Sequence, residues 1–259
     1  MKKNKKLNIA IIGLGNIGTY LYKYLSANQK ILFKKNNCLP NITFVSAKNK
    51  NKKRGIKISK KKWLNNFLDA TKSKNVDVIV ELIGGAEGAA KKLVFNALKN
   101  KKHVVTANKA LIAKYGDQLS KIAEQNNVNL EFEAAVCGGV PIIRSLKESF
   151  IANKINKVYG IFNGTSNYIL SSMDKENKNF KDVLLNAQKL GFAESNPISD
   201  LNGDDVAAKL KILSSLCFNS FLDDKIHVEG IKHIDKIDID NANKLGYKIK
   251  LLGVSEIIE

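Results

Sequence analysis

The stretch Leu7-Asn8-Ile9-Ala10-Ile11-Ile12-Gly13-Leu14-Gly15-Asn16-Ile17-Gly18 decides the fold. Its first six residues are a short, mostly apolar run, the pattern of a parallel strand buried on both faces. A Gly-x-Gly-x-x-Gly turn follows, and Ile17, Leu21, Tyr24 and Leu25 then recur at helical spacing. Each glycine has a physical task in that context. Gly13 permits the tight turn off the strand, Gly15 lets bare backbone approach a pyrophosphate, and Gly18 allows close helix–strand packing. The helix N-terminus adds N–H donors and its dipole. The segment is read as a dinucleotide site formed by Gly13, Leu14, Gly15, Asn16, Ile17 and Gly18.

The alternation continues beyond it. Strands are predicted over residues 41–47, 76–83, 103–106 and 128–135, with helices over 63–71, 89–100 and 110–126 and a basic, polar loop over 48–62. Such alternation implies an α/β fold, a Rossmann doubly wound parallel sheet with helices on both faces. After Gly138-Gly139-Val140-Pro141 the rhythm changes. Strands are expected over 154–162, 224–229 and from 247 onward, with helices over 166–174, 180–190, 204–217 and 239–245. The boundary falls near Pro141, giving a nucleotide-binding domain of residues 1–140 and a second, α+β domain of residues 141–259.

The bulk composition narrows the function. The 259 residues include 43 Lys and Arg against 24 Asp and Glu, a formal charge of +19. Lysine and asparagine are abundant along most of the chain, so composition accounts for the charge. No basic stretch is interleaved with aromatics as in a nucleic-acid stacking platform, and no nucleic-acid partner is expected. The positive field favours anionic cofactors and substrates. No run approaches the roughly 20 apolar residues of a membrane span. The basic start leads into a strand and glycine turn rather than a cleavage site, so a cytoplasmic protein is expected. Cys38, Cys137 and Cys217 are too few and too scattered for a disulfide framework or a structural zinc site.

Three groups of residues carry candidate chemistry. The second strand ends Val45-Ser46-Ala47-Lys48, without the acid that would hold a ribose 2′-hydroxyl. Lys48 is a candidate partner for a 2′-phosphate, which favours NADP over NAD; it reads equally well as a solvated loop lysine. Ile83 and Gly84, at the end of the central strand, and Lys109, at the start of a helix, lie where the nicotinamide half should pass. A lysine opposes the dipole at a helix start, which points to a task such as holding an anion. The third group is Gly191-Phe192-Ala193-Glu194-Ser195-Asn196-Pro197, then Asp200-Leu201-Asn202-Gly203-Asp204-Asp205 and Lys209. Asp205 and Lys209 are neighbours on one helix face. Spacing alone leaves two readings open: a catalytic cluster, or ordinary capping acids and an ion pair.

This third group resembles the signature of the homoserine dehydrogenase family. Thr106-Ala-Asn-Lys-Ala-Leu111, Glu133-Ala-Ala-Val-Cys-Gly-Gly-Val-Pro141 and Asn163-Gly-Thr-Ser-Asn-Tyr-Ile-Leu170 also resemble family segments, in the family's order. The resemblance implies NAD(P)H-dependent reduction of aspartate 4-semialdehyde to homoserine, in the biosynthesis of threonine and methionine. It implies that Lys209 transfers the proton and that Lys109 is a second lysine between cofactor and substrate. Glu194 and Asp205 would bind the substrate's amino group, with Asp200 nearby. Glu133 and the backbone of Val136, Gly138 and Val140 resemble a monovalent-cation site, taken as Na+. A homodimer formed through the second domain is also implied. Family members continue past the strand beginning near Tyr247, so the chain is read as C-terminally short. Two rivals differ in chemistry: an aspartate-semialdehyde dehydrogenase-like enzyme with Cys137 as nucleophile, and a non-catalytic nucleotide-binding relative. The first needs a base beside the thiol, and no histidine is suitably suggested.

Overall fold

The structure, a computed structural model, describes residues 5–218 and 226–258. The chain separates into two compact units, Met1–Val140 and Pro141–Glu259.

The first unit holds a five-stranded parallel sheet. Its strands are β1 (Lys5–Ile12), β2 (Cys38–Ser46), β3 (Val78–Glu81), β4 (His103–Thr106) and β5 (Leu130–Glu131). Their spatial order is β2-β1-β3-β4-β5. The chain therefore winds outward from β1 to β2, then returns to the other side of β1 to place β3. The crevice beyond the carboxyl ends of β1 and β3 is the topological switch point, where open α/β sheets bind ligands. Ile9, Ile11, Val45, Val78 and Val80 pack together across the sheet. One irregularity lies between β1 and β2: Ile9 faces Ile42 while Ala10 faces Phe44. Thr43 is the extra residue, and its hydroxyl donates to the Ile9 carbonyl.

The helices of this unit are α1 (Asn16–Ala27), α2 (Gln29–Asn36), α3 (Asp69–Lys72), α4 (Ala89–Lys99) and α5 (Lys109–Gln125). Helix α4 buries Ala90, Leu93, Val94, Ala97 and Leu98 along one face. Asn108 caps α5, its side-chain oxygen accepting the Leu111 N–H.

Two expectations change here. The predicted helix over residues 63–71 shrinks to α3, because Trp63 forms a parallel bridge with Val45 and Leu64 N–H donates to the Val45 carbonyl. Backbone pairing at the sheet edge takes those residues out of a helix. The predicted strand over 128–135 shortens to β5, which pairs only with β4 and gives way to a 3-10 turn over Glu133–Ala135.

The second unit begins with the short helix α6 (Ile142–Arg144), continuing into a π-helical turn over Ser145–Ser149. Its sheet has two antiparallel strands, β6 (Lys157–Gly160) and β7 (Gly253–Glu256). Its helices are α7 (Gly164–Glu176), α8 (Phe180–Leu190), α9 (Ile198–Asn202), α10 (Asp204–Phe218) and α11 (Lys236–Lys244). Ile169, Leu170, Met173, Val183, Ala187 and Leu201 form the main core. Residues 224–225 of the predicted strand lie outside the described residues, and 226–229 form no strand.

Candidate functional site

The glycine turn divides its labour as its sterics require. Gly13 has φ +108°, and a Cβ there would lie 2.3 Å from the Leu82 carbonyl oxygen. A Cβ on Gly18 would lie 2.0 Å from the Gly13 carbonyl oxygen. These two glycines hold β1, α1 and the end of β3 in close contact. Gly15 differs: a Cβ there would meet no atom within 4 Å. Its bare backbone borders open space, as a cradle for a phosphate requires.

A cavity opens at the switch point, lined by Gly15, Asn16, Ile17, Ile83, Gly84 and Asn108 among others. Of the cofactor-side residues expected from sequence, Gly15, Asn16, Ile17, Gly18, Ile83 and Gly84 line it, whereas Gly13, Leu14, Lys48 and Lys109 do not. Lys109 is the first residue of α5, directly after Asn108, and is half-buried. Leu14 is buried, and its carbonyl accepts from Arg54 Nε at 2.9 Å. The Arg54 guanidinium also donates to the carbonyls of Asn49 and Lys52, so it folds the 49–54 loop against the glycine turn. A second cavity on that side is lined by Gly15, Asn16, Thr19, Lys23, Lys52 and Lys53, with Tyr20 and Arg54. Lys48 is exposed and lines neither cavity. Of the basic residues that do, Lys23 belongs to α1, and Lys52, Lys53 and Arg54 were submerged, in the sequence, in a lysine-rich loop.

Within the second unit, Asn163 organises the charged residues. Its side-chain oxygen caps α7 by accepting the Ser166 N–H at 2.7 Å. Its amide nitrogen donates to Asp200 Oδ1 and to Asp205 Oδ2, both at 2.8 Å. Ser166 Oγ adds a bond to the Asp200 carbonyl. Asp205, on the first turn of α10, is buried. Lys209 Nζ is 2.7 Å from Asp205 Oδ2 and 2.7 Å from the Phe162 carbonyl oxygen. An ammonium has three donors, so these bonds fix its position and leave one proton uncommitted. Asn163, Asp200, Asp205 and Lys209 share a cavity with the stacked rings of Tyr168 and Phe192. Glu194 is not drawn in: its residue is exposed and absent from that lining.

Sequence reasoning assigned no role to Asn163. The available signal was a capping residue followed by Gly-Thr-Ser at the start of a predicted helix.

Glu133 opens the 3-10 turn, Val136 is buried, and Val140 N–H closes a turn onto the Cys137 carbonyl. Among the described residues there is no group of three or more His, Cys, Asp or Glu able to hold a metal. No described helix is long and apolar enough to cross a membrane.

Comparison with known proteins gives two family matches. Residues 13–133 match the model described as "Homoserine dehydrogenase, NAD binding domain", and residues 141–258 match that described as "Homoserine dehydrogenase". The homoserine dehydrogenase of Bacillus subtilis is 40% identical over 253 residues, which is 97% of this chain and 58% of that protein. The crystal structure of a homoserine dehydrogenase from Thiobacillus denitrificans superposes with a TM-score of 0.90 at 39% identity, over 98% of this chain and 59% of that one. A hyperthermophilic archaeal homoserine dehydrogenase in complex with NADPH shares the fold, at 24% identity and a TM-score of 0.79 over 97% of this chain and 79% of that one. The chain spans 58% of the length of the Bacillus relative. These relatives are neither cysteine-nucleophile dehydrogenases nor non-catalytic binders by name.

Proposed function

The chain belongs to the homoserine dehydrogenase family, and on that premise we propose that it reduces L-aspartate 4-semialdehyde to L-homoserine with a nicotinamide cofactor, as a cytoplasmic homodimer. The observation carrying this reading is the ammonium of Lys209 held between Asp205 and the Phe162 carbonyl, on a cavity wall with Asp200. The bound nicotinamide supplies the hydride. The alkoxide developing on the substrate needs a proton or a positive charge. Lys209 offers both, from a fixed position. Asp200 and Asp205 are the carboxylates available to a substrate α-ammonium, and Glu194 joins them in this reading only through reorientation of its loop. We assign Lys109, the first residue of α5 and next to Asn108 of the cofactor crevice, as the second lysine of the reaction. NADPH oxidation followed at 340 nm with aspartate 4-semialdehyde tests the reaction; turnover is expected, and its absence with a folded, cofactor-binding chain refutes the reading.

Asn163 is a positioning residue in this scheme. Asn163→Asp keeps a cap for α7 but replaces a donor to two carboxylates with a third carboxylate. The substrate KM is expected to rise about tenfold or more, the scale of losing one or two charge-assisted hydrogen bonds. The cofactor KM should hold. Equal changes in both would remove the assignment.

The cofactor reading favours NADP. Lys23, Lys52 and Lys53 border the glycine turn, and we assign the 2′-phosphate to this cluster with Lys48 at its margin. Replacing Lys52 and Lys53 together by Ala is expected to weaken NADP+ binding about 10–100-fold, with NAD+ binding changed less than about threefold. Equal losses for both nucleotides would count against a 2′-phosphate site.

The loop from Glu133 to Val140 is carried as a Na+ site. One carboxylate and the carbonyls of Val136, Gly138 and Val140 are hard oxygen donors suited to such an ion. A site built mainly from backbone needs no cluster of acidic side chains.

A further inference from the structure

Among the described residues two carboxylates are buried, Asp205 and Glu81. Asp205 has Lys209 beside it. Glu81, the last residue of β3, is 0% exposed, and its hydrogen-bond partners are all neutral. Burying a charge without a counter-charge is costly, so such a group calls for a physical reason.

Its bonds form a closed circuit. Glu81 Oε1 accepts the N–H groups of Ile83 at 2.7 Å and Gly84 at 3.0 Å. Glu81 Oε2 accepts the Thr106 hydroxyl at 2.5 Å. That hydroxyl in turn accepts the Asn108 N–H at 3.0 Å. Asn108 then donates from its side-chain nitrogen to the Gly85 carbonyl, at 2.8 Å. The circuit begins and ends on the loop after β3 and passes through the loop after β4. Glu81, Ile83, Gly84 and Asn108 all line the switch-point cavity. A second tie lies further out: Glu87, on the same loop, accepts from Lys114 and Tyr115 of α5. Those bonds, the Lys114 one first, hold the exposed Glu87 carboxyl down at about 2.

We propose that Glu81 is both the frame and the counter-charge of the cofactor crevice. Its carboxylate fixes the loops after β3 and β4 in one arrangement, and its negative charge favours the cationic, oxidised nicotinamide over the neutral, reduced one. The inference rests on the reading that this crevice takes a nicotinamide dinucleotide. The two forms of the cofactor differ by a charge on the ring, so a fixed charge in the cavity wall acts on their difference, whereas a distortion of the loops acts on both.

The test is equilibrium binding of NADPH, by fluorescence titration, and of NADP+, by displacement, to the full chain. Glu81→Gln keeps the shape and removes the charge. It is expected to weaken NADP+ about tenfold more than NADPH. Thr106→Val breaks the circuit but leaves the carboxylate; it should weaken both forms alike. Should Glu81→Gln fail to fold, Glu81→Asp supplies the reading instead, because it shortens the reach while keeping the charge. Both forms should then bind more weakly with their ratio within twofold of the parent. An unchanged ratio in Glu81→Gln, or a changed one in Glu81→Asp, overturns the proposal. A parent chain that binds neither nucleotide overturns the cofactor reading itself, which separates the two failures.

Discussion

Replacing Lys209 by Arg is expected to lower kcat by about 100- to 10,000-fold, the range spanned by a positioned proton donor, while leaving cofactor affinity and thermal stability near those of the parent. The choice of Arg matters. Lys209 and Asp205 have side chains only 16% and 4% exposed, and they sit 2.7 Å apart. Truncating the lysine to Ala leaves a buried carboxylate without its cation, a change that costs about 3–5 kcal/mol. Asn163 still donates to Asp205 Oδ2 and offsets part of that loss. Lys209→Ala thus mixes lost chemistry with lost structure. Arginine keeps a permanent charge beside Asp205 but does not give up its proton in a protein. If proton transfer is the task, Arg fails as badly as Ala in kcat yet melts close to the parent. If only the charge matters, Arg retains a substantial fraction of turnover. Paired measurements of kcat and Tm on the two variants decide between these roles.

The sequence was most legible where one residue type answers one physical demand. The run from Leu7 to Gly18 announced β1, the turn and α1, because apolar pattern and glycine spacing agree there. Helix α8 matches its expected bounds, with an asparagine cap at Asn179 and a left-handed glycine at Gly191 marking its ends. Helix α2 was invisible: it buries no residue and is mostly Lys, Asn and Gln, so periodicity had nothing to report. In the candidate site, Asp200, Asp205 and Lys209 were legible as types with chemistry and are brought to one cavity. Asn163 and Glu81 were not, because their importance lies in partners distant along the chain. Asn163 reaches Asp200 and Asp205 across 37 and 42 positions, and Glu81 reaches Thr106 across 25. A carboxylate ending the otherwise apolar run Val78-Ile79-Val80 was a signal in plain sight. Lys48 shows the converse. Its position after β2 was read correctly, but the 49–54 loop folds back on Arg54 and brings Lys52 and Lys53 to the glycine turn instead.

The glycine turn yields the other large effect, and it comes as a contrast between two alanines three positions apart. Gly18→Ala would put its Cβ 2.0 Å from the Gly13 carbonyl oxygen. That oxygen is backbone, held between β1 and α1, and moves only if the helix withdraws from the strand. Overpacking of this kind costs about 3 kcal/mol, which lowers Tm by about 6–12 °C in a protein of this size. Gly15→Ala has no such obstacle. Gly15 has φ −75°, a conformation open to any residue, and its Cβ would meet nothing within 4 Å. That open space is where the pyrophosphate of a bound dinucleotide would sit. The methyl group would then stand between the backbone N–H groups and the pyrophosphate. Gly15→Ala is expected to melt within about 2 °C of the parent, since surface substitutions that strain nothing change little. Its cofactor Kd should rise at least tenfold. Calorimetric melting and nucleotide titration on both variants give four numbers. Stability lost at 18 and affinity lost at 15 is the pattern of a fold built around a pyrophosphate. Affinity unchanged at 15 would mean the open space beside that glycine serves no nucleotide, and the reading of the whole first unit would fall with it.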